Sequence, residues 1–136
     1  MALAQSAAQK NNLAHLMENE RRALAELVDR LRRRYGDDLL RVVLFGSKAR
    51  GDFDEESDLD VLIVASIPET DYRQHRRTIS EDAYDIELNY GVVFSLLIQT
   101  ETEYAQMRAW DLLINRNIDQ DGVELWTSRP SELQFA

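Results

Sequence analysis

Two aspartates two residues apart, Asp58 and Asp60, head the run DLDVLIVAS over residues 58–66. After its acids the run is apolar and β-branched, which predicts a strand. Side chains alternate along a strand, so both carboxylates share one face and Leu59 takes the other. Their Cβ atoms then lie roughly 6–7 Å apart, and the pair can share one or two hard cations. Magnesium suits such oxygen ligands and keeps positions open for water and phosphate. Alone, Asp-x-Asp equally describes a solvated strand entry. A second motif, Gly46-Ser47, follows the apolar run LLRVVLF over residues 39–45. A strand ending in Gly-Ser before a short helical turn presents backbone N–H groups and a hydroxyl to a phosphate. Glycine lets that phosphate approach the backbone closely. The segment is not a P-loop, because Asp52-Phe53 stands where Lys-Ser/Thr is required.

These motifs need elements that bring them together. Strand 39–45, the break GSKARG at 46–51, the polar turn DFDEES at 52–57 and strand 58–66 form a hairpin-like return, which carries the glycine loop back beside the carboxylates. Upstream, Leu13, Leu16, Met17, Leu24, Leu27, Val28 and Leu31 recur at helical spacing, predicting a helix over 12–35 that ends at Gly36. Downstream, Ser80 is placed to cap a helix running to Asn89 before Gly91. VVFSLLI, residues 92–98, predicts a third strand. Thr100 and Glu103 have capping-box spacing and open a helix over 101–117. Asp121-Gly122 turns into a last short strand, 123–126. The order α-β-β-α-β-α-β predicts an α/β (α+β) fold: a small mixed β-sheet with helices packed against it, in a single domain over 1–136. Residues 1–11 are expected to fray and 127–136 to form a tail.

Composition excludes several chemistries. The chain has 136 residues and no cysteine, so disulfides, thiolate metal sites and thiol nucleophiles are absent. Only His15 and His75 are available for imidazole chemistry. No apolar run reaches the length of a membrane span and the first residues lack a secretory core, so the cytoplasm is the expected location. The net charge is −9, which argues against non-specific binding to nucleic acid. That charge is uneven: residues 21–50 carry nine basic and four acidic side chains, and residues 51–72 eight acidic and none basic. A basic stretch running into an acidic one suits an anion beside a metal.

Individual residues admit two readings each. Arg50 is placed to fork a phosphate or to pair with Asp52 or Asp54. Lys48 is expected to face solvent. Arg73, His75, Arg76 and Arg77 form a basic patch, read as a solvated helix face or as a reach toward a triphosphate or the partner. Arg32, Arg33 and Arg34 read as a solvated face, His15 as a half-buried helix side chain, and Trp110 and Trp126 as core or interface anchors.

Leu44-Phe45-Gly46-Ser47-Lys48-Ala49-Arg50-Gly51, followed by Ser57-Asp58-Leu59-Asp60-Val61-Leu62-Ile63-Val64, resembles the minimal nucleotidyltransferases of the DNA polymerase beta superfamily. Residues 46–60 match that family's GS-x10-DxD pattern, and the resemblance extends over most of the chain. It implies a nucleotidyltransferase fold and Mg2+-dependent transfer of AMP from ATP. Asp58 and Asp60 are then the metal ligands and, with Ser47, the catalytic set; Gly46, Ser47 and Arg50 hold the nucleotide. Many stand-alone members are antitoxins of a HEPN ribonuclease toxin, so the resemblance implies a protein partner whose hydroxyl, on a tyrosine, receives AMP. One departure stands out. The family places a third carboxylate on the next strand, where residues 92–98 offer only Ser95; Asp85 and Glu87 are upstream substitutes if that strand starts early. The departure keeps alive a second reading, an antitoxin of this fold that neutralises by binding alone. A third, transfer to a small molecule, normally needs a substrate domain for which this chain has no room.

Overall fold

The computed structural model describes residues 13–51 and 57–128. Along the chain run α1 (Glu18–Tyr35), a 3-10 turn (Gly36–Asp38), β1 (Leu39–Phe45), α2 (Gly46–Arg50) and β2 (Leu59–Ala65). A second 3-10 turn (Glu69–Asp71), α3 (Tyr72–Tyr90), β3 (Phe94–Thr100), α4 (Glu101–Ala109), α5 (Leu113–Asp121) and β4 (Val123–Thr127) follow. The four strands form one mixed sheet in the order β3-β2-β1-β4. β1 is antiparallel to β2 and β4, and β2 is parallel to β3. A parallel pair needs a crossover, and α3 supplies it.

Each sheet face buries its own apolar layer. Leu39, Val42 and Leu44 of β1 and Leu59, Val61 and Ile63 of β2 pack with Leu24, Leu27, Val28 and Leu31 of α1 and Ile79 and Ile86 of α3. On the opposite face Leu40, Val43, Leu62 and Val64 meet Tyr104 of α4 and Ile118 of α5. The alternation in β2 that sends Leu59 to the first face sends Asp60 to the second.

The predicted architecture holds, with shifted boundaries. α1 begins at Glu18 because Met17 is extended, at φ −69° and ψ 157°. Leu13 and Leu16 are buried all the same, from the turns before the helix. His15 is therefore not a helix residue. α3 begins at Tyr72, not at Ser80, which is exposed in mid-helix; the spacing of Ile79, Ala83 and Ile86 buries one continuous stripe. β3 spans 94–100 because pairing with β2 starts at Leu59 and Phe94. The helix expected over 101–117 is two helices, broken where Asp111 adopts φ 52°. Arg116 grips that residue with two hydrogen bonds, at 3.0 and 2.6 Å. Thr127, assigned to the tail, closes β4. The expected fraying of 1–11 and the rest of the tail fall outside the described residues.

Lys48 corrects its expectation outright. It is 1% exposed, and its ammonium meets the Glu20 carboxylate at 2.5 Å. The other Glu20 oxygen accepts the Met17 N–H at 2.9 Å, so one side chain both caps α1 and anchors α2. The His15 Nε2 donates to the Lys48 carbonyl oxygen. Lys48→Ala would leave Glu20 a buried charge without its counter-ion, at a cost of about 3–5 kcal/mol. Urea denaturation should show that loss, and most of it should return in the double variant Lys48→Met with Glu20→Gln.

Candidate active site

The site forms where β1 ends and β2 begins. The antiparallel ladder sets Phe45 opposite Asp60, so the next residue, Gly46, falls against the Asp60 side chain. Gly46 has φ 76°, and a Cβ placed there would lie 2.3 Å from Asp60 Oδ2. Both facts require glycine: the backbone lies in the left-handed region, and the carboxylate fills the space a side chain would take. Gly46 then opens α2, whose first N–H groups lack partners within the helix. Ser47, in that first turn, is half-buried. Its carbonyl accepts the Gly51 N–H at 2.9 Å, which closes the short helix.

Asp58 is exposed just before β2, and Asp60 is half-buried inside it. Burial pushes the Asp60 carboxyl above the ordinary aspartate value, and the negative charge of Asp58 adds to the rise. A hydrogen bond from the Ser95 hydroxyl and the positive charge of Arg50 act the other way. An Asp60 carboxylate made costly by burial and by a neighbouring negative charge is the electrostatic setting a divalent cation relieves. Among the described residues no group of three or more acids, histidines or cysteines gathers.

Four predicted residues, Gly46, Ser47, Asp58 and Asp60, meet at this end of the sheet, with Arg50 close enough for its charge to act on Asp60. The proposed pairing of Arg50 with Asp52 or Asp54 lies outside the described residues. Ser95 is the β3 residue paired with Asp60 in the parallel ladder, as its position in the sequence implied. Neither upstream acid replaces it. Asp85 binds Arg30 at 2.7 Å on α3, and Glu87 accepts the Phe94 N–H at 2.7 Å, holding the start of β3.

The basic patch does not reach the site. Arg73, Arg76 and Arg77 lie exposed at the start of α3, beyond the far end of β2 and about 17 Å along the strand from Asp60. His75 is tied to the Tyr35 hydroxyl at 2.9 Å. Arg33 and Arg34 pair with Asp29 and Asp82, while Arg32 stacks 3.9 Å above the Trp126 ring. Trp126 anchors the core edge as expected; Trp110 is 61% exposed and is no core residue. Sequence reasoning missed Glu20 and His15 as supports of the glycine loop. The only signal was Glu20 three residues after Met17, and a methionine does not announce a cap.

A family model described as a nucleotidyltransferase domain matches residues 24–122, which include Gly46, Ser47, Arg50, Asp58, Asp60 and Ser95. A Methanocaldococcus jannaschii protein named "Putative protein adenylyltransferase MJ0604" is 33% identical over 108 residues, 79% of this chain and 99% of that protein. A chain in a crystal structure of a toxin–antitoxin with AMP-PNP shares the fold at TM-score 0.52 and 18% identity, over 82% of this chain and 79% of that one. A chain of a mutant MntA-HpeT toxin–antitoxin does so at TM-score 0.52 and 15% identity, over 88% of this chain and 82% of that one.

Two outcomes follow from the geometry. Gly46→Ala should cost at least about 1–2 kcal/mol through its positive φ and should displace the Asp60 carboxylate, which chemical denaturation and an Asp60-resolved NMR titration can check. Asp60→Asn should not destabilise. A carboxyl raised on folding contributes most when protonated, and that contribution is lost as pH rises through its folded value. At pH 7 without divalent cations the Asn variant should melt at or above the wild-type temperature. Its advantage should shrink below the ordinary carboxylate range.

Proposed function

This chain belongs to the nucleotidyltransferase domain family, and on that premise we propose that it transfers AMP from ATP to a hydroxyl, on a tyrosine, of a partner protein, a HEPN-type ribonuclease toxin that it thereby neutralises. The observation that carries the proposal is the fit of Gly46 against Asp60, which fuses a phosphate-binding turn and a carboxylate pair into one cradle. The relative named as a protein adenylyltransferase and the toxin–antitoxin neighbours support the choice of a protein acceptor.

Asp58 and Asp60 would hold Mg2+, which when bound draws charge from the phosphates and supports the departing pyrophosphate. Ser47 and the first N–H groups of α2 hold the β- and γ-phosphates. Arg50, on the exposed side of the same turn, offers a fork to an anion. Together they orient the α-phosphorus so that its bond to the bridging oxygen breaks as the acceptor oxygen bonds to it. The described residues place no free carboxylate beside Asp60, because Ser95 stands there as a hydroxyl donor. A phosphate oxygen, a water or a base that the partner brings would then take the acceptor's proton.

The same Ser95 supports the second reading, an antitoxin that only masks its toxin. The two separate in one assay, transfer of labelled AMP to the purified toxin followed by mass spectrometry. Transfer should require the toxin and should vanish in the folded double variant Asp58→Asn with Asp60→Asn. Full neutralisation by that variant, with no mass added by the wild type, would establish masking instead. Ser47→Ala should weaken ATP and GTP by similar factors, roughly tenfold for one lost charge-assisted hydrogen bond. A loss confined to one nucleotide would mean that the loop reads the base.

A further inference from the structure

β3 is an edge of the sheet, and its ladder with β2 uses the backbone groups of every second residue. The Leu59 N–H donates to the Val93 carbonyl oxygen at 2.9 Å, which fixes the pattern. The backbone groups of Ser95, Leu97 and Gln99 face β2, and those of Phe94, Leu96 and Ile98 face outward. Side chains close this outer row at both ends. Glu87 of α3 accepts the Phe94 N–H at 2.7 Å. The Tyr72 hydroxyl donates to the Ile98 carbonyl at 2.8 Å, and Glu103 of α4 accepts the Thr100 N–H at 2.9 Å. Between them, the Phe94 and Leu96 carbonyls and the Leu96 and Ile98 N–H groups meet no partner among the described residues. An alternating row of open donors and acceptors is what an extended peptide pairs with.

This opening lies beside the catalytic corner, and on the face that carries it. Across the sheet the ladders set Phe45, Asp60 and Ser95 in one row, which ends at the open edge. Ser95 is exposed and small, and its hydroxyl bonds to Asp60. A strand added at the opening, parallel or antiparallel, puts one residue opposite Ser95. Residues opposite one another turn their side chains to the same face, here the face of Asp60. The added residue's backbone stands roughly 9–10 Å from that of Asp60, two strand spacings away. A serine or threonine hydroxyl, one atom beyond Cβ, stops over Ser95. A tyrosine hydroxyl, at the far side of its ring, reaches across Ser95 to the carboxylates.

We propose that the open stretch of β3 receives the acceptor segment of the partner protein as an extended added strand, with its tyrosine opposite Ser95. The proposal rests on the transferase reading and names how the acceptor is presented to it. Docked there, the tyrosine oxygen bonds to the α-phosphorus as pyrophosphate departs, and the phenol proton passes to a phosphate oxygen, a water or a base of the partner. A second copy of this chain could pair with the same groups, but so short a stretch falls well below the roughly 1,200 Å² that a stable dimer buries. A substrate strand has to leave after transfer, and weak pairing suits it.

The probe is the peptide acetyl-Thr-Val-Tyr-Val-Thr-amide, added at millimolar concentration to the nitrogen-15-labelled full chain. The Leu96 and Ile98 amides should become protected from exchange with water, whereas those of Ser95 and Leu97 are protected already by β2. With ATP and Mg2+ the tyrosine of the peptide should gain AMP, read by mass spectrometry. Leu96→Pro removes the central outward N–H and spares the ladder with β2. Leu96→Ala loses the same apolar contacts and keeps the N–H. Transfer to the peptide should be roughly tenfold slower in the proline variant than in the alanine variant, with equal ATP binding by calorimetry. Equal transfer by the two variants, or Leu96 and Ile98 amides that the peptide leaves unprotected, overturns the docking site; AMP found on the peptide in either case leaves the transferase reading standing. Protected amides with no AMP transferred overturn the transferase reading, and the acceptor role of the edge with it. Protection that rises with protein concentration alone, with a doubled mass in sedimentation, gives the edge to a second copy and overturns the proposal.

Discussion

Residue 46 has no room for a side chain because the Asp60 carboxylate already occupies the space. The rest of the site follows from that contact. It requires β1 and β2 to pair antiparallel in one register, since a slip of one residue would turn Asp60 to the other face and leave Gly46 against a leucine or valine. Pairing in that register places the start of α2 beside the carboxylates. The left-handed backbone at Gly46 turns the chain there without strain. The first turn of α2 and the two carboxylates thus share one corner of the sheet.

A corner of that kind needs support from behind, and a buried ion pair provides it. Lys48 points away from the site into the layer beneath α1, where Glu20 meets it. A charge pair so deeply buried adds little net stability compared with apolar residues of the same size. What it supplies is direction: a lysine anchored on the Glu20 carboxylate holds a five-residue helix in one orientation, which the helix's own hydrogen bonds could not do. The opposite face is buried by Tyr104 and Ile118, so the two sides of the sheet are held independently.

Much of this was legible in the chain. The apolar runs at 39–45 and 59–65, interrupted by Gly-Ser and followed by paired acids, gave the hairpin and the family resemblance. The assignment of Ser95 to the missing acid's place followed from its being the only polar residue in the run 92–98. Other features were hidden because they depend on contacts distant in sequence. Lys48 reads as a surface residue, since nothing local shows that Glu20 waits 28 positions away. The break at Asp111 lacks a glycine or proline to mark it; an arginine five residues on holds it. The patch at Arg73–Arg77 seemed available to a triphosphate until the direction of β2 put it at the wrong end.

The parallel pairing of β2 with β3 also orders events in time. The antiparallel pairing of β1 with β2 joins strands that are adjacent along the chain. β3 can dock only after the 19-residue crossover α3 has folded back. Gly46, Ser47, Asp58 and Asp60 come together through the pairing of β1 with β2, while Ser95 reaches Asp60 only when β3 pairs with β2. The acidic corner belongs to the β1–β2 hairpin, and the neighbour that tempers its charge is brought by the crossover strand β3.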